Sequence, residues 1–319
     1  MSLSGKITLF KRWYGIATGK NRVAVKQDIG KVYSLDEVEG YYNDLTGKVN
    51  ENTLLDNNGI PINVMAGGNK VYFPISIFQY ALGLYDLYLI NKDELKKEHF
   101  LKICDWIFEN QQENGSWDCF SPIGYTNLTV SSMGQGEAIS VLARSYKLTK
   151  NEKWLVSMKK AIFFMIVEVK DGGTLLINER NYIFEEYPSL EGNKKSVLNG
   201  WIFSLFGIYD YLKINPDKLI ENIFINSVNT LKRNILDYDN KYWSLYDQSG
   251  RLASPAYHDL HISLLLVLSD ITKDQEFERV AIRWKQYSRS KLNKFRAVFI
   301  KVIQKLGESP EGILIKWGC

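Results

Sequence analysis

The chain uses two hydrophobic rhythms. In "PISIFQYALGLYDLYLI" the apolar residues Ile75, Phe78, Leu82, Tyr85 and Leu89 recur at helical spacing, and Pro74 suits a first helical position. Similar helical stretches follow in "EHFLKICDWIFENQ", "GQGEAISVLARSYKLT", "EKWLVSMKKAIFFMIVEV", "VLNGWIFSLFGIYDYLKI", "KLIENIFINSVNTLKRNIL", "LHISLLLVLSDIT" and "QEFERVAIRWKQYSR". Loops carrying Gly, Asn, Asp and aromatic residues separate them. Ahead of these, "TGKNRVAV", "GYYNDLTGKVN" and "DNNGIPINVMAGGNK" place turn signals between short β-prone pieces. The expected organisation is an N-terminal arm over residues 1–72 with a few strands or a hairpin, a helical body over 73–290, and a basic tail or helix over 291–319.

A weak internal echo points to a repeat. "WIFENQQENGSWDCF" and "LKRNILDYDNKYWSLYD" both read as helix, acid-amide turn, then Trp in a short extended piece. Helix pairs whose linking loops collect at one end describe an α/α toroid. Its inner helices are buried on both faces, which suits the apolar "WIFSLFGIYDYL". The fold class is therefore mainly α, an incomplete α/α barrel of helical hairpins with a small β-containing arm. Periodicity alone also allows a helical bundle or solenoid.

Composition narrows the class only a little. The 319 residues are 45% hydrophobic and 24% charged, which suits a globular protein and excludes a disordered one. A formal net charge of +4 does not single out a nucleic-acid partner and is compatible with an anionic substrate. Cys104, Cys119 and Cys319 show no metal or redox spacing. The start "MSLSGKITLFKRWYGIATGK" lacks a long apolar stretch, and no run approaches a membrane span, so a cytoplasmic or membrane-peripheral location is expected.

The chemistry-bearing candidates sit in loops, where side chains can reach a cleft. "FEEYPS" holds Glu185, Glu186 and Tyr187. "YWSLYDQSGR" holds Tyr246, Asp247 and Arg251. "SPAYHDLHI" holds Tyr257, His258 and His261. Taken singly, each acid reads first as a loop or capping residue and each ring as packing. His258 and His261 share a helical face but lack a third ligand, so hydrogen bonding is favoured over zinc. "GQGEA" around Gln135 lacks the lysine of a phosphate loop.

In series these segments mean more. "DWIFENQQENGSW", "MGQGEAISVLARSYKLTK", "FEEYP", "VLNGWIFSLFGIYDY", "YDQ", "YHDLHI" and "RWKQYSR" stand in the order seen in the D-glucuronyl C5-epimerase family, which acts on heparosan and heparan-type chains. "VEGYYND" and "YFPISIFQYALGLY" also resemble family segments. The resemblance spans roughly residues 70 to 290, without the β-sandwich insertion of animal members. It implies a cofactor-free, metal-independent isomerase that inverts C5 of glucuronate residues within a polymer to give iduronate, and it implies a homodimer.

C5 carries a very weakly acidic hydrogen beside a carboxylate. Inversion needs that charge offset as the enolate-like intermediate forms, and a base and an acid on opposite faces. The resemblance places functional tyrosines at Tyr187, Tyr246 and Tyr257 and the active-site glutamate at Glu186. Glu186 and Tyr257 are the expected exchange pair, with Tyr187 and Tyr246 orienting the sugar or moving protons. A tyrosinate base would need nearby cations, because the free phenol titrates near about 10.

The family's Tyr-Asp-Leu-Arg becomes Tyr246-Asp247-Gln248-Ser249-Gly250-Arg251 here, which displaces the arginine that can pair with the substrate carboxylate. Arg251 could return to the same place from a longer loop, or Arg180 or Lys195 could replace it. Asn199 is expected either to bind substrate or to cap its helix. Tyr41, Gln79, Trp117, Gln135 and His258 complete the expected cleft.

Rival readings are a uronate lyase on the same fold, a hydrolase pairing Glu186 with Asp247 or Asp118, and a non-catalytic glycan-binding protein. The tail "SRSKLNKFRAVFIKVIQKLG" reads either as a basic amphipathic helix at a membrane surface or as a terminal helix docked on the barrel, with docking preferred.

Overall fold

The computed structural model describes residues 25–65, 68–189, 196–307 and 314–316. Residues 25–62 are largely irregular and closed by short bridges such as Ile29 to Asn43. They lead into strand β1 (Asn63–Met65), which pairs antiparallel with β2 (Lys70–Val71). Helices α1 (Pro74–Asn91), α2 (Glu94–Glu109), α3 (Ser132–Thr149) and α4 (Glu152–Met165) follow. A hairpin of β3 (Leu175–Asn178) and β4 (Asn181–Phe184) comes next. Then come α5 (Leu198–Ile214), α6 (Lys218–Asn234), α7 (Pro255–Thr272), α8 (Gln275–Arg289) and α9 (Lys291–Gly307). Finally β5 (Leu314–Lys316) returns to pair antiparallel with β1.

The first eight helices pack as four hairpins, α1 on α2, α3 on α4, α5 on α6 and α7 on α8. The first member of each hairpin also packs on the next, α1 on α3, α3 on α5 and α5 on α7. The result is an inner arc of helices wrapped by an outer one, an incomplete α/α toroid. Residue patterning explains which helix goes where. Helix α5 is buried around its whole circumference from Leu198 to Ile208. By contrast α8 buries one stripe only, Phe277, Val280, Ala281 and Trp284. An all-round apolar helix must sit inside, and an amphipathic one can face water. Helices α3 and α5 come into backbone contact: a Cβ added at Gly136 would lie 2.6 Å from the Phe203 carbonyl oxygen.

One turn joins inner to outer helix at three of the four hairpins. Lys92, Lys150 and Lys273 each take a left-handed conformation, with φ of 55°, 55° and 57°. The next residue, Asp93, Asn151 or Asp274, then caps the outer helix through its side chain. These tight turns close one end of the arc. The other end receives the long connections 110–131, 166–189 and 235–254.

The N-terminal segment shares the helical core. Tyr41, Tyr42 and Leu45 are fully buried in the same apolar cluster as Phe203 and Phe206. Arg144, also fully buried, pins this junction. Its Nη1 donates to Asp210 Oδ2 at 2.6 Å and to the Ser140 carbonyl at 2.8 Å, and its Nη2 donates to the Gly40 carbonyl at 2.8 Å. The Tyr42 hydroxyl donates to the other Asp210 oxygen at 2.7 Å.

One face of the C-terminal helix α9 packs on the body. Ala297, Val298 and Lys301 are buried, and the backbone N–H of Leu252 donates to Gln304 Oε1 at 3.2 Å. Residues 1–24, Lys195 and Cys319, about which the sequence raised expectations, lie outside the described residues.

Replacing Arg144 with Ala would leave Asp210 buried without its cation. Urea unfolding should register a loss of about 3–5 kcal/mol. The exposed pair of Lys170 and Glu168 is the control, and Lys170→Ala should leave the urea midpoint essentially unchanged.

Candidate active site

Because each inner helix is separated from the next by an antiparallel outer one, the inner helices run in parallel. Their N-termini collect at the long-loop end. That end gathers Gln79 of α1, Glu137 of α3, Asn199 and Gly200 of α5, and Tyr257 of α7. The partial positive charge of those N-termini favours an anion there.

Glu186 enters this end from β4. The preceding residue anchors the chain: Glu185 N–H donates to the Thr174 carbonyl at 2.9 Å, and its own carbonyl accepts from Ser132 N–H at 3.1 Å. The Ser196 hydroxyl donates to Glu185 Oε1 at 2.5 Å, which commits that carboxyl to holding the loop. Glu186 is buried and lies flat on α5 over Gly200. A Cβ added to Gly200 would sit 2.4 Å from Glu186 Oε2. That oxygen is buried and accepts no hydrogen bond among the described residues. Burial pushes the Glu186 pKa up to about 7, against a hydrogen bond from Tyr187 and the charge of Arg251, which both favour the anion.

Three tyrosines surround it. Tyr187 stacks on Phe120, with ring centroids 5.0 Å apart and planes at 22°. Tyr246 hydrogen-bonds the Tyr187 hydroxyl, so the two phenols and Glu186 form a chain. Tyr257 meets the Tyr246 ring edge-on at 5.1 Å. Its backbone N–H is capped by the Ser254 hydroxyl at 3.3 Å, which fixes it in the first turn of α7. All three phenols are pushed up, first by loss of water around the hydroxyls and then by the charge of Glu186, although Tyr257 as a residue is 37% exposed. They are neutral proton donors at ordinary pH.

Arg251 does return to the tyrosine. Leu245 bridges Leu252, and Tyr246 N–H donates to the Arg251 carbonyl at 2.6 Å, so residues 245–252 form a small hairpin. Gly250, with φ of 90°, supplies the left-handed residue in its turn. The extra residues close this loop, and the Arg251 guanidinium lies 5.2 Å from the Tyr246 ring centroid. Asp247, fully buried, holds it with a 2.5 Å contact from Nε to Oδ2.

Residues 111–286 match the family model described as D-glucuronyl C5-epimerase C-terminus. The chain belongs to this family. It is 29% identical over 229 residues to a D-glucuronyl C5-epimerase of Caenorhabditis elegans, which covers 64% of this chain and 37% of the relative. An uncharacterized protein of Methanocaldococcus jannaschii is 28% identical over 156 residues, 48% of this chain and 50% of that one. The chain thus spans half or less of the length of these relatives. Among solved structures, an α-mannanase of Bacteroides thetaiotaomicron superposes with a TM-score of 0.49 at 10% identity, over 77% of this chain and 71% of that one.

Seen as an epimerase-family site, the cluster includes one residue that sequence reasoning missed. Glu137 is fully buried in α3, accepts from Gln79 Nε2 at 2.8 Å, and interacts with the charges of Glu186 and Tyr257. Burial pushes its pKa up to about 8. Nothing in "GQGEA" distinguished it from an ordinary helix-start acid. Gln79 is brought to the site only through Glu137. Asn199 is not the cap of α5, a place taken by Val197. Its Oδ1 is buried with no partner among the described residues, and its Nδ2 lies 3.8 Å from Met133 Sδ.

Other expected cleft residues are struts. His258 is fully buried and stacks on Trp243 at 3.8 Å. Its Nδ1 accepts from Ser244 N–H at 3.1 Å and its Nε2 faces the Trp284 carbonyl at 3.1 Å, so neither nitrogen is open to substrate. Burial lowers its pKa to about 4, which keeps it neutral. Gln135 spends its amide on the Gly115 and Ala161 carbonyls and accepts from Trp117 N–H. Trp117 is buried, its indole donating to the Ile107 carbonyl at 2.8 Å. Tyr41 lies in the core, stacked on Phe203. Arg180 occupies the β3–β4 turn, where its carbonyl accepts from Arg233 of α6, a whole strand away from Glu186. Among the described residues no three His, Cys, Asp or Glu cluster closely enough to hold a metal ion.

Glu137 titrates higher in the fold, about 8, than its ordinary 4.5. Its contribution to stability is therefore full below about pH 4.5 and is lost as pH rises through 8. Glu137→Gln cannot ionise. Its melting temperature should match the parent's at pH 4.5 and exceed it by about 2 °C or more at pH 9.

Proposed function

We propose that the protein is a uronyl C5-epimerase that converts D-glucuronate to L-iduronate residues within an anionic polysaccharide. The observation that carries this is Glu186: a buried carboxyl poised near neutrality, one oxygen unpartnered, at the head of a tyrosine chain with a cation beside it. A general base works best with a pKa near the operating pH.

In the forward direction the Glu186 carboxylate takes the C5 proton. The C–H electron pair moves into the substrate carboxyl group, giving an enolate-like dianion. Arg251 and the helix N-termini offset the added charge. Tyr257, a neutral phenol, then gives its proton to C5 from the other face. Inversion leaves a protonated Glu186 and a Tyr257 phenolate. The hydrogen-bonded phenols of Tyr187 and Tyr246 offer a route that returns the proton and resets the site. Asn199 and its unpartnered oxygen suit a substrate hydroxyl. Asp247, tied to Arg251, is poorly placed to serve as the second carboxyl of a hydrolase.

The test is proton NMR of glucuronate-containing polymers, heparosan first, incubated with the protein in heavy water. Exchange at C5 with an iduronate signal is expected. An ultraviolet-absorbing unsaturated uronate instead would mark a lyase, and no exchange in any polymer would mark a binding protein. Glu186→Gln and Tyr257→Phe should each lower exchange by about 100-fold or more with the fold intact. As the base must be ionised, kcat/KM should climb with pH to a plateau above about 7, the value to which burial raises Glu186. Gly200→Ala, whose Cβ would displace the Glu186 carboxyl, should lower kcat by about tenfold or more.

A further inference from the structure

Helix α9 has two faces, and only one is accounted for. The face with Ala297, Val298 and Lys301 packs on the body. Outward, Leu292, Phe295, Phe299 and Ile303 stand 75%, 65%, 58% and 54% exposed. Their spacing of three, four and four places them in one stripe along the helix. The Phe295 and Phe299 rings stack at 6.5 Å, extending a continuous apolar surface. Lys291 lies along one edge of that stripe by helical position and Arg296 along the other.

The chain that bears the stripe is basic. From Arg279 to Gly307 the chain carries nine Lys and Arg and no Asp or Glu, while the whole chain has 40 basic and 36 acidic residues. A stripe of Leu and Phe bordered by basic residues has the features of a helix lying in a bilayer interface. We propose that α9 seats the protein on an anionic lipid bilayer, with Leu292, Phe295, Phe299 and Ile303 in the headgroup–acyl boundary.

Charge argues against the other occupants. Residues 1–24 hold five Lys and Arg and no acid, so this segment would be repelled from the stripe. A second copy docking face to face would bring two such basic surfaces together. An anionic polysaccharide would match the charge but leave the apolar stripe wet.

The test uses the full chain and sedimentation with vesicles of phosphatidylcholine alone or with about 30% phosphatidylglycerol. Binding to the anionic vesicles should be at least about tenfold tighter than to the neutral ones. A Phe295→Ser/Phe299→Ser double variant should lose at least about tenfold of that binding while keeping C5 exchange, since neither ring belongs to the site. A Phe299→Trp variant should shift its emission to the blue on binding. The proposal is overturned by no binding, or by binding that salt abolishes and the double variant leaves unchanged. A dimer in sedimentation velocity that the double variant dissolves would also overturn it, making the face an interface between copies.

Discussion

The Arg144 guanidinium is the constraint on which the arc depends. A fully buried cation has no water to fall back on, so each of its partners is held in place. Asp210 fixes it to α5, the Ser140 carbonyl to its own helix, and the Gly40 carbonyl to the N-terminal segment. The close backbone approach at Gly136 sets the spacing of the same two helices. Together they fix the separation of α3 and α5, and hence of Glu137 from the floor on which Glu186 rests.

The site then inverts the usual order of the interior. At Arg144 the buried charge is neutralised by Asp210. At the long-loop end Glu186 and Glu137 are buried with unpartnered oxygens, and both are pushed up to near neutrality. The charge of Glu186 adds to burial in holding Glu137 up. A carboxyl held this way can take up or release a proton at small cost near neutral pH.

The helical body was legible because its signal is spread over many residues. Apolar periodicity in "PISIFQYALGLYDLYLI" and all-round apolarity in "WIFSLFGIYDYL" report inner and outer position directly. The site was legible only through the order of motifs. Glu186, Tyr187, Tyr246 and Tyr257 do converge, yet each alone reads as packing or capping. Polar residues at the open end of a toroid serve either the cleft or the loops that frame it, and no local pattern separates the two. His258 and Gln135 were drawn to the cleft on that ground, but their hydrogen-bonding groups are spent on the backbone. Glu137 escaped notice for the converse reason, because its burial arises from elements distant in sequence, Gln79 of α1 among them. The displaced arginine was resolved by a turn: four residues of hairpin carry Arg251 back over Tyr246, a closure invisible in linear spacing.

The family match stops at residue 286, yet the hairpin bearing Tyr246 leans on what lies beyond it. Gln304 of α9 holds Leu252 at its base, Arg296 covers Tyr242 with the guanidinium 4.0 Å from the ring centroid, and Lys301 stands 6.0 Å from the Tyr246 ring centroid. The last helix is thus a buttress for the candidate site. A chain trimmed to its family boundaries would keep Glu186, Tyr187, Tyr246 and Tyr257 and lose the wall that keeps Tyr246 upright.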